Sequence, residues 1–160
     1  MNAQRCWVFG ENIDTDQIIP SQYLVLPLNE MLPHALETQS DHFAKEIKPG
    51  DFIVAGANFG CGSSREQAPW VLKDLGLRAI IAKSFSRIFF RNCINIGLLL
   101  IEISKIEEFS DGHILSINVD KGKLTNETTG KHYLFSAPTG LVKEIFDAGG
   151  LLPYLLKQDV

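Results

Sequence analysis

Short apolar runs at residues 52–55, 78–82 and 98–103 alternate with two segments of helical spacing, 66–75 and 85–95. Runs this short, bounded by glycines and polar clusters, read as buried strands, and the longer segments between them as helices. Gly76 and Gly97 stand where those helices must stop. Strand–helix–strand–helix–strand implies parallel pairing through right-handed crossovers. Upstream, residues 6–9 predict another strand, closed by Gly10, and Asn12-Ile13-Asp14-Thr15-Asp16 has turn chemistry before Ile18, Ile19 and the break at Pro20. Residues 32–47 have helix-compatible spacing and end on Lys48-Pro49-Gly50. Downstream, 114–119 and 131–135 read as strands around a turn at Lys121-Gly122-Lys123, with a further strand between them. These hairpin-like strands imply an antiparallel part. The final predicted helix, 141–148, is capped by Gly149-Gly150. The expected fold is α/β with a mixed sheet.

At 160 residues the chain is long enough for one substantial core, so a single domain spanning 1–160 is expected. A formal net charge of −4 argues against broad electrostatic binding of nucleic acid. No apolar stretch is long enough to cross a bilayer, and the first residues carry no signal-peptide core. A cytoplasmic location with no membrane partner is therefore the expectation. Cys6, Cys61 and Cys93 are widely spaced, without CxxC spacing or a nearby histidine, which predicts free thiols, no metal site and no iron–sulfur ligand set in this chain.

The segment richest in chemistry is Gly56-Ala57-Asn58-Phe59-Gly60-Cys61-Gly62-Ser63-Ser64-Arg65-Glu66. Its glycines permit positive φ and close backbone approach to a ligand. A loop that leaves a buried strand and enters a helix offers free N–H groups to an anion. Ser63 and Ser64 add hydroxyls, and Arg65 adds a planar, permanently charged fork suited to a carboxylate. The phosphate-loop, dinucleotide-loop and serine-hydrolase patterns all fail here, so a carboxylate fits better than a nucleotide. A structural reading competes: Ser63-x-x-Glu66 and Ser64-x-x-Gln67 both fit a helix capping box. Pro69 complicates a helix that starts at Ser64, and a start one or two residues later removes the difficulty. Asp14 and Asp16 fit an Asx-turn, and Cys61 reads as a close-packed loop residue. Lys83 and Arg87 read as exposed or salt-bridged.

Asn58-Phe-Gly-Cys-Gly-Ser-Ser-Arg-Glu-Gln-Ala-Pro-Trp70 resembles the signature of the aconitase swivelling-domain family in its isopropylmalate-isomerase form. Asn12-Ile-Asp-Thr-Asp-Gln-Ile-Ile-Pro20, Lys83-Ser-Phe-Ser-Arg-Ile88 and Asn95-Ile-Gly-Leu-Leu99 resemble further blocks of that family, in order. The resemblance implies a single swivelling β/β/α domain that acts as the small subunit of a hydro-lyase. It implies a large partner subunit, in a heterodimer or higher oligomer, that holds a [4Fe–4S] cluster, and a small diacid substrate. By motif position, Ser63 is implied as the catalytic base, Ser64 and Arg65 as carboxylate binders, and Asp16 as a member of the same site.

Within that family the stretch after Pro20 varies, and homoaconitase-type members that resemble this chain present an arginine there. Here Val25 and Leu26 stand instead. An apolar wall fits an isopropyl group and leaves a third carboxylate unpaired. These residues fit equally well as core. Other diacids, 2-methylmalate or 2,3-dimethylmalate, stay open as substrates, as does homoaconitate, and a non-catalytic anion-binding module is the rival from another class.

Overall fold

The computed structural model describes residues 3–158. In chain order the elements are β1 Gln4–Val8, α1 Thr15–Ile18, α2 Leu28–Met31, α3 Phe43–Glu46, β2 Phe52–Ala55, α4 Gln67–Asp74, β3 Ala79–Ala82, α5 Arg87–Ile96, β4 Leu99–Glu102, β5 Ile114–Asn118, β6 Lys123–Asn126, β7 Lys131–Leu134, α6 Gly140–Ala148 and α7 Leu151–Gln158. The strands form one seven-stranded sheet in the order β4-β3-β2-β1-β5-β6-β7. Strands β1 to β4 are parallel, with Cys6 opposite Phe52, Phe52 opposite Ala79 and Ala79 opposite Leu99. β5 to β7 continue the sheet as an antiparallel meander. The predicted mixed α/β sheet is thus observed, including the third strand around Gly122.

β2 and β3 are buried on both faces along their whole length, as expected of parallel strands covered on each side. Alternate residues feed two cores. Trp7, Ile53, Ala55, Ile80 and Ala82 join Phe43, Phe59, Val71, Leu72 and Phe89 on the helical side. Cys6, Phe52, Val54, Ala79 and Ile81 join Leu115, Ile117, Leu124 and Tyr133 of the meander. The two-residue period of a strand accounts for this division.

Two expectations need correction. Residues 32–47 are not one helix: a 3-10 turn at Leu32–His34 is followed by bends and the short α3. Pro33 has no N–H to continue a helix, and Leu36 takes a left-handed φ of 53°. Its N–H donates to the carbonyl of Ile18 at 2.9 Å, and its side chain is fully buried. A tertiary hydrogen bond and burial override the local spacing here. The second correction is α7, which lies beyond the last predicted helix. Pro153 stands in its first turn, where the missing N–H costs nothing.

Candidate active site

The parallel half of the sheet delivers its loops to one end, outside the carboxyl ends of β1, β2 and β3. This is where open α/β sheets bind ligands. The pairing of these strands continues past their ends as loop-to-loop hydrogen bonds. On one side, the N–H of Gly56 donates to Gly10, Asn12 to Ala57, Gly60 to Ile13 and Thr15 to Cys61, at 2.7–3.0 Å. On the other, Phe59 donates to Ser84, Ser86 to Phe59, and the Ser86 hydroxyl to the Gly60 carbonyl at 2.7 Å. Gly60 is obligatory in this arrangement: at φ 78° it lies so near Phe89 that an added Cβ would meet the ring at 2.1 Å.

The glycine-rich segment is therefore held from both sides until Gly62, and the chain then turns out. Ser63 and Ser64 are exposed. The N–H groups of residues 62–66 find no acceptor among the described residues, and such a cluster of free donors attracts an anion. α4 begins only at Gln67, and no side chain caps it. This removes the capping reading of the serines. Neither caps the helix, and Pro69 falls in the first turn, where it is tolerated.

Ser63 Oγ instead accepts from Arg65 Nε at 2.7 Å and lies 3.1 Å from Thr15 Oγ1. Arg65 is only 16% exposed, and its Nη1 donates to Asp16 Oδ1 at 3.3 Å and to the Ile19 carbonyl at 3.1 Å. Nη2 has no partner among the described residues. Asp16 Oδ1 also accepts from the Ser21 N–H at 3.0 Å. Ser21, through its N–H and hydroxyl, and then Arg65 hold this carboxyl below its ordinary range, so it stays ionised at neutral pH as the counter-ion of Arg65. Asp14 is structural: it caps α1 in a reciprocal box with Gln17, with bonds of 2.7 and 2.9 Å.

The structure thus brings Asp16, Ser63 and Arg65 together, with Ser64 adjacent on the exposed loop. The two residues of the variable stretch part company. Val25 is 87% exposed, whereas Leu26 is half-buried against the helical-side core, as Leu24 is. Cys61 keeps a protonated thiol, since burial and the Asp14 charge raise its pKa. Lys83 pairs with Glu107 at 3.6 Å. The sequence reading missed Thr15, whose hydroxyl touches Ser63. Its only signal was a hydroxyl between two acids in a turn motif.

The donor set of this chain does not suit an iron–sulfur cluster. Burial holds the Cys6 thiol up at about 12 and pushes Cys93 well above its ordinary value. No group of three or more potential ligands comes together among the described residues.

A family model of the aconitase C-terminal domain matches residues 35–106. A 3-isopropylmalate dehydratase small subunit from Archaeoglobus fulgidus is 48% identical, over 94% of each chain. An isopropylmalate/citramalate isomerase small subunit from Methanocaldococcus jannaschii is 49% identical, over 96% of this chain and 93% of the relative. The crystal structure of a 3-isopropylmalate dehydratase from the same archaeon superimposes with a TM-score of 0.93 at 45% identity, covering 98% of this chain and 94% of the other. Near-half identity along almost the whole length, on the same fold and with the glycine-serine-arginine loop intact, leaves one conclusion: the chain belongs to the small-subunit family of the 3-isopropylmalate dehydratases, built on the aconitase swivelling domain.

Proposed function

We propose that residues 1–160 act as one swivelling domain, the small subunit of a hydro-lyase that interconverts 2-isopropylmalate and 3-isopropylmalate in leucine biosynthesis. The observation that carries the assignment of the base is the 2.7 Å contact of Arg65 Nε with the exposed Ser63 hydroxyl. A serine oxygen is a poor base unless its anion is stabilised, and a guanidinium beside it, with free loop N–H groups, provides that. The Ser63 alkoxide takes the proton from the carbon α to a carboxylate. The C–H electron pair becomes the C=C bond as the hydroxyl leaves the neighbouring carbon. Rehydration with the opposite regiochemistry returns the proton from Ser63 and completes the isomerisation.

Arg65 Nη2 and the Ser64 hydroxyl bind the carboxylate on which charge accumulates during proton abstraction. Asp16 holds the guanidinium in place. Val25 offers apolar surface to the isopropyl group, and Leu26 supports that segment from the core side. Departure of the hydroxyl calls for a Lewis acid. That group is a [4Fe–4S] cluster in the large subunit, with which this chain forms a heterodimer or higher oligomer, and no cofactor is assigned to this chain. The expected compartment is the cytoplasm. No described helix is long and apolar enough to cross a membrane, and the acidic charge balance gives nucleic acid no general foothold.

A second substrate, citramalate, is favoured by the name of the M. jannaschii relative. Co-expression with a large subunit, followed by an anaerobic assay on isopropylmalate, citramalate and homoaconitate, tests the proposal. Turnover of isopropylmalate by the pair and by neither subunit alone is expected. A pair that assembles but acts only on one of the other diacids overturns the substrate, and one that acts on none overturns the catalytic reading.

A further inference from the structure

Thr15 is the first residue of α1 and only 2% exposed, yet its hydroxyl reaches the exposed Ser63. Oγ1 lies 3.1 Å from Ser63 Oγ and 3.2 Å from the Ser63 carbonyl oxygen. The geometry points to Thr15 as a positioning residue that turns its single hydroxyl proton from the Ser63 carbonyl to the Ser63 alkoxide as the base forms. This inference rests on the proposed role of Ser63 and deepens it.

A hydroxyl has one proton and two lone pairs. With Ser63 protonated, one arrangement satisfies every contact. The Ser63 hydroxyl donates to Thr15 Oγ1, Thr15 donates to the Ser63 carbonyl, and Ser63 Oγ accepts from Arg65 Nε. When Ser63 loses its proton to solvent, to which it is open, the old arrangement would set lone pair against lone pair. Rotation about the Cβ–Oγ1 bond of Thr15 removes that repulsion. It gives up a neutral hydrogen bond to a carbonyl for a charge-assisted one to an alkoxide, which is the stronger kind. Thr15 becomes the second donor to the base, beside Arg65.

The backbone of Thr15 is fixed for this role. Its N–H donates to the Cys61 carbonyl at 2.8 Å, its carbonyl accepts from Ile19 at 3.0 Å, and Asp14 caps the helix that it opens. Its β-branched side chain has few rotamers to lose. Gly62, at φ 96°, bends the loop so that Ser63 arrives over Thr15.

The charged and titratable groups of this chain around Ser63 are Arg65, Asp16 behind it, and Asp14 and Cys61 on the flanking segments. Asp16 is held low and Cys61 high, so neither changes charge near neutrality.

The test uses the assembled two-subunit enzyme carrying Thr15→Val, Thr15→Ala, Thr15→Ser or Ser63→Ala, with isopropylmalate as substrate. Removing a hydrogen bond to a charged group is expected to lower kcat about ten- to hundredfold in both hydroxyl-free variants. KM should change little, and the acid limb of the kcat–pH profile should move upward, because an alkoxide with one donor fewer is the stronger base. Thr15→Ser is expected to restore both rate and profile, and Thr15→Val is expected to add nothing in a Ser63→Ala background. Thr15→Ala adds no atom to the packed site, so it reads the lost hydroxyl even if the valine variant fails to assemble. A wild-type profile in the hydroxyl-free variants, a lowered rate with an unmoved acid limb, or equal damage in Thr15→Ser overturns the inference. If Ser63→Ala keeps its turnover, the catalytic reading itself falls. If it is inactive while both hydroxyl-free variants match wild type, only the role of Thr15 falls.

Discussion

The two halves of the sheet solve different problems. In the parallel half, β2 and β3 are buried on both faces, and their ends extend into loops tied to neighbours on either side. That rigidity presents Ser63 and Arg65 on a fixed edge. The antiparallel half carries none of the candidate site residues and adds side-chain polar networks to its backbone ladders. Asn126 is fully buried, and its side-chain amide oxygen Oδ1 accepts from the N–H groups of Thr128 and Thr129 at 3.1 and 3.2 Å. Tyr133 donates to Glu108 at 2.8 Å, and Lys131 pairs with the same carboxylate at 3.2 Å. The contrast teaches that this small domain places its candidate site where paired loops bring Thr15 and Asp16 up to Ser63 and Arg65, whose side chains they then set. Changes in the first half should cost turnover at constant stability, and changes in the second should do the reverse.

Arg65→Lys is expected to break the first half most severely. A lysine keeps one charge but cannot donate at once to Ser63, Asp16, Ile19 and a carboxylate. The loss in kcat/KM should be about a hundredfold or more, with an unchanged melting temperature. Near wild-type turnover in an assembled complex would remove Arg65 from the mechanism.

Val25→Arg is expected to lower kcat/KM for isopropylmalate about ten- to two-hundredfold, with a smaller gain or none on homoaconitate. Leu26→Arg should instead cost stability, since that side chain faces the core. Unchanged specificity ratios in both variants would mean that this segment does not meet the substrate.

In the antiparallel half, Asn126→Ala removes a fully buried side chain whose amide oxygen accepts from two turn N–H groups. It should cost about 1–3 kcal/mol in denaturant unfolding while leaving turnover intact. Tyr133→Phe, a smaller change, should cost about 1 kcal/mol and alter the alkaline limb of stability. Burial, and then Glu108, raise the Tyr133 phenol to about 12. A raised folded-state value gives a contribution that is fully present below the unfolded value of about 10 and lost as pH rises toward 12. The phenylalanine variant should lack that loss. A turnover defect in either variant would erase the division between the halves.

The same division explains what the sequence disclosed. β2 and β3 announced themselves as short apolar runs because burial on both faces leaves no polar positions, and β4 showed through Leu99–Ile101 although it ends on the exposed Glu102. The loop from Gly56 to Arg65 stood out because its glycines and charged fork fit no ordinary loop. The irregular stretch at 32–47 stayed hidden because its break at Leu36 is fixed by the carbonyl of Ile18, a partner that periodicity does not reveal. α7 escaped because Pro153 reads locally as a break, although in a first turn it is harmless. That neither serine caps α4 also needed the structure. Only there does the Ser63 hydroxyl turn to Arg65 and Thr15, and away from the start of α4. Thr15 was out of reach for the same reason, since its contact depends on pairing between two loops.

The claim at the centre is that Ser63 moves the proton. Its most direct test is the isopropylmalate isomerisation rate of the Ser63→Ala chain assembled with the large subunit, beside the wild-type pair. A complex of unchanged size and stability is expected, with kcat lowered about 10²–10⁴-fold. An assembled Ser63→Ala complex that turns over within a few-fold of wild type would contradict the claim.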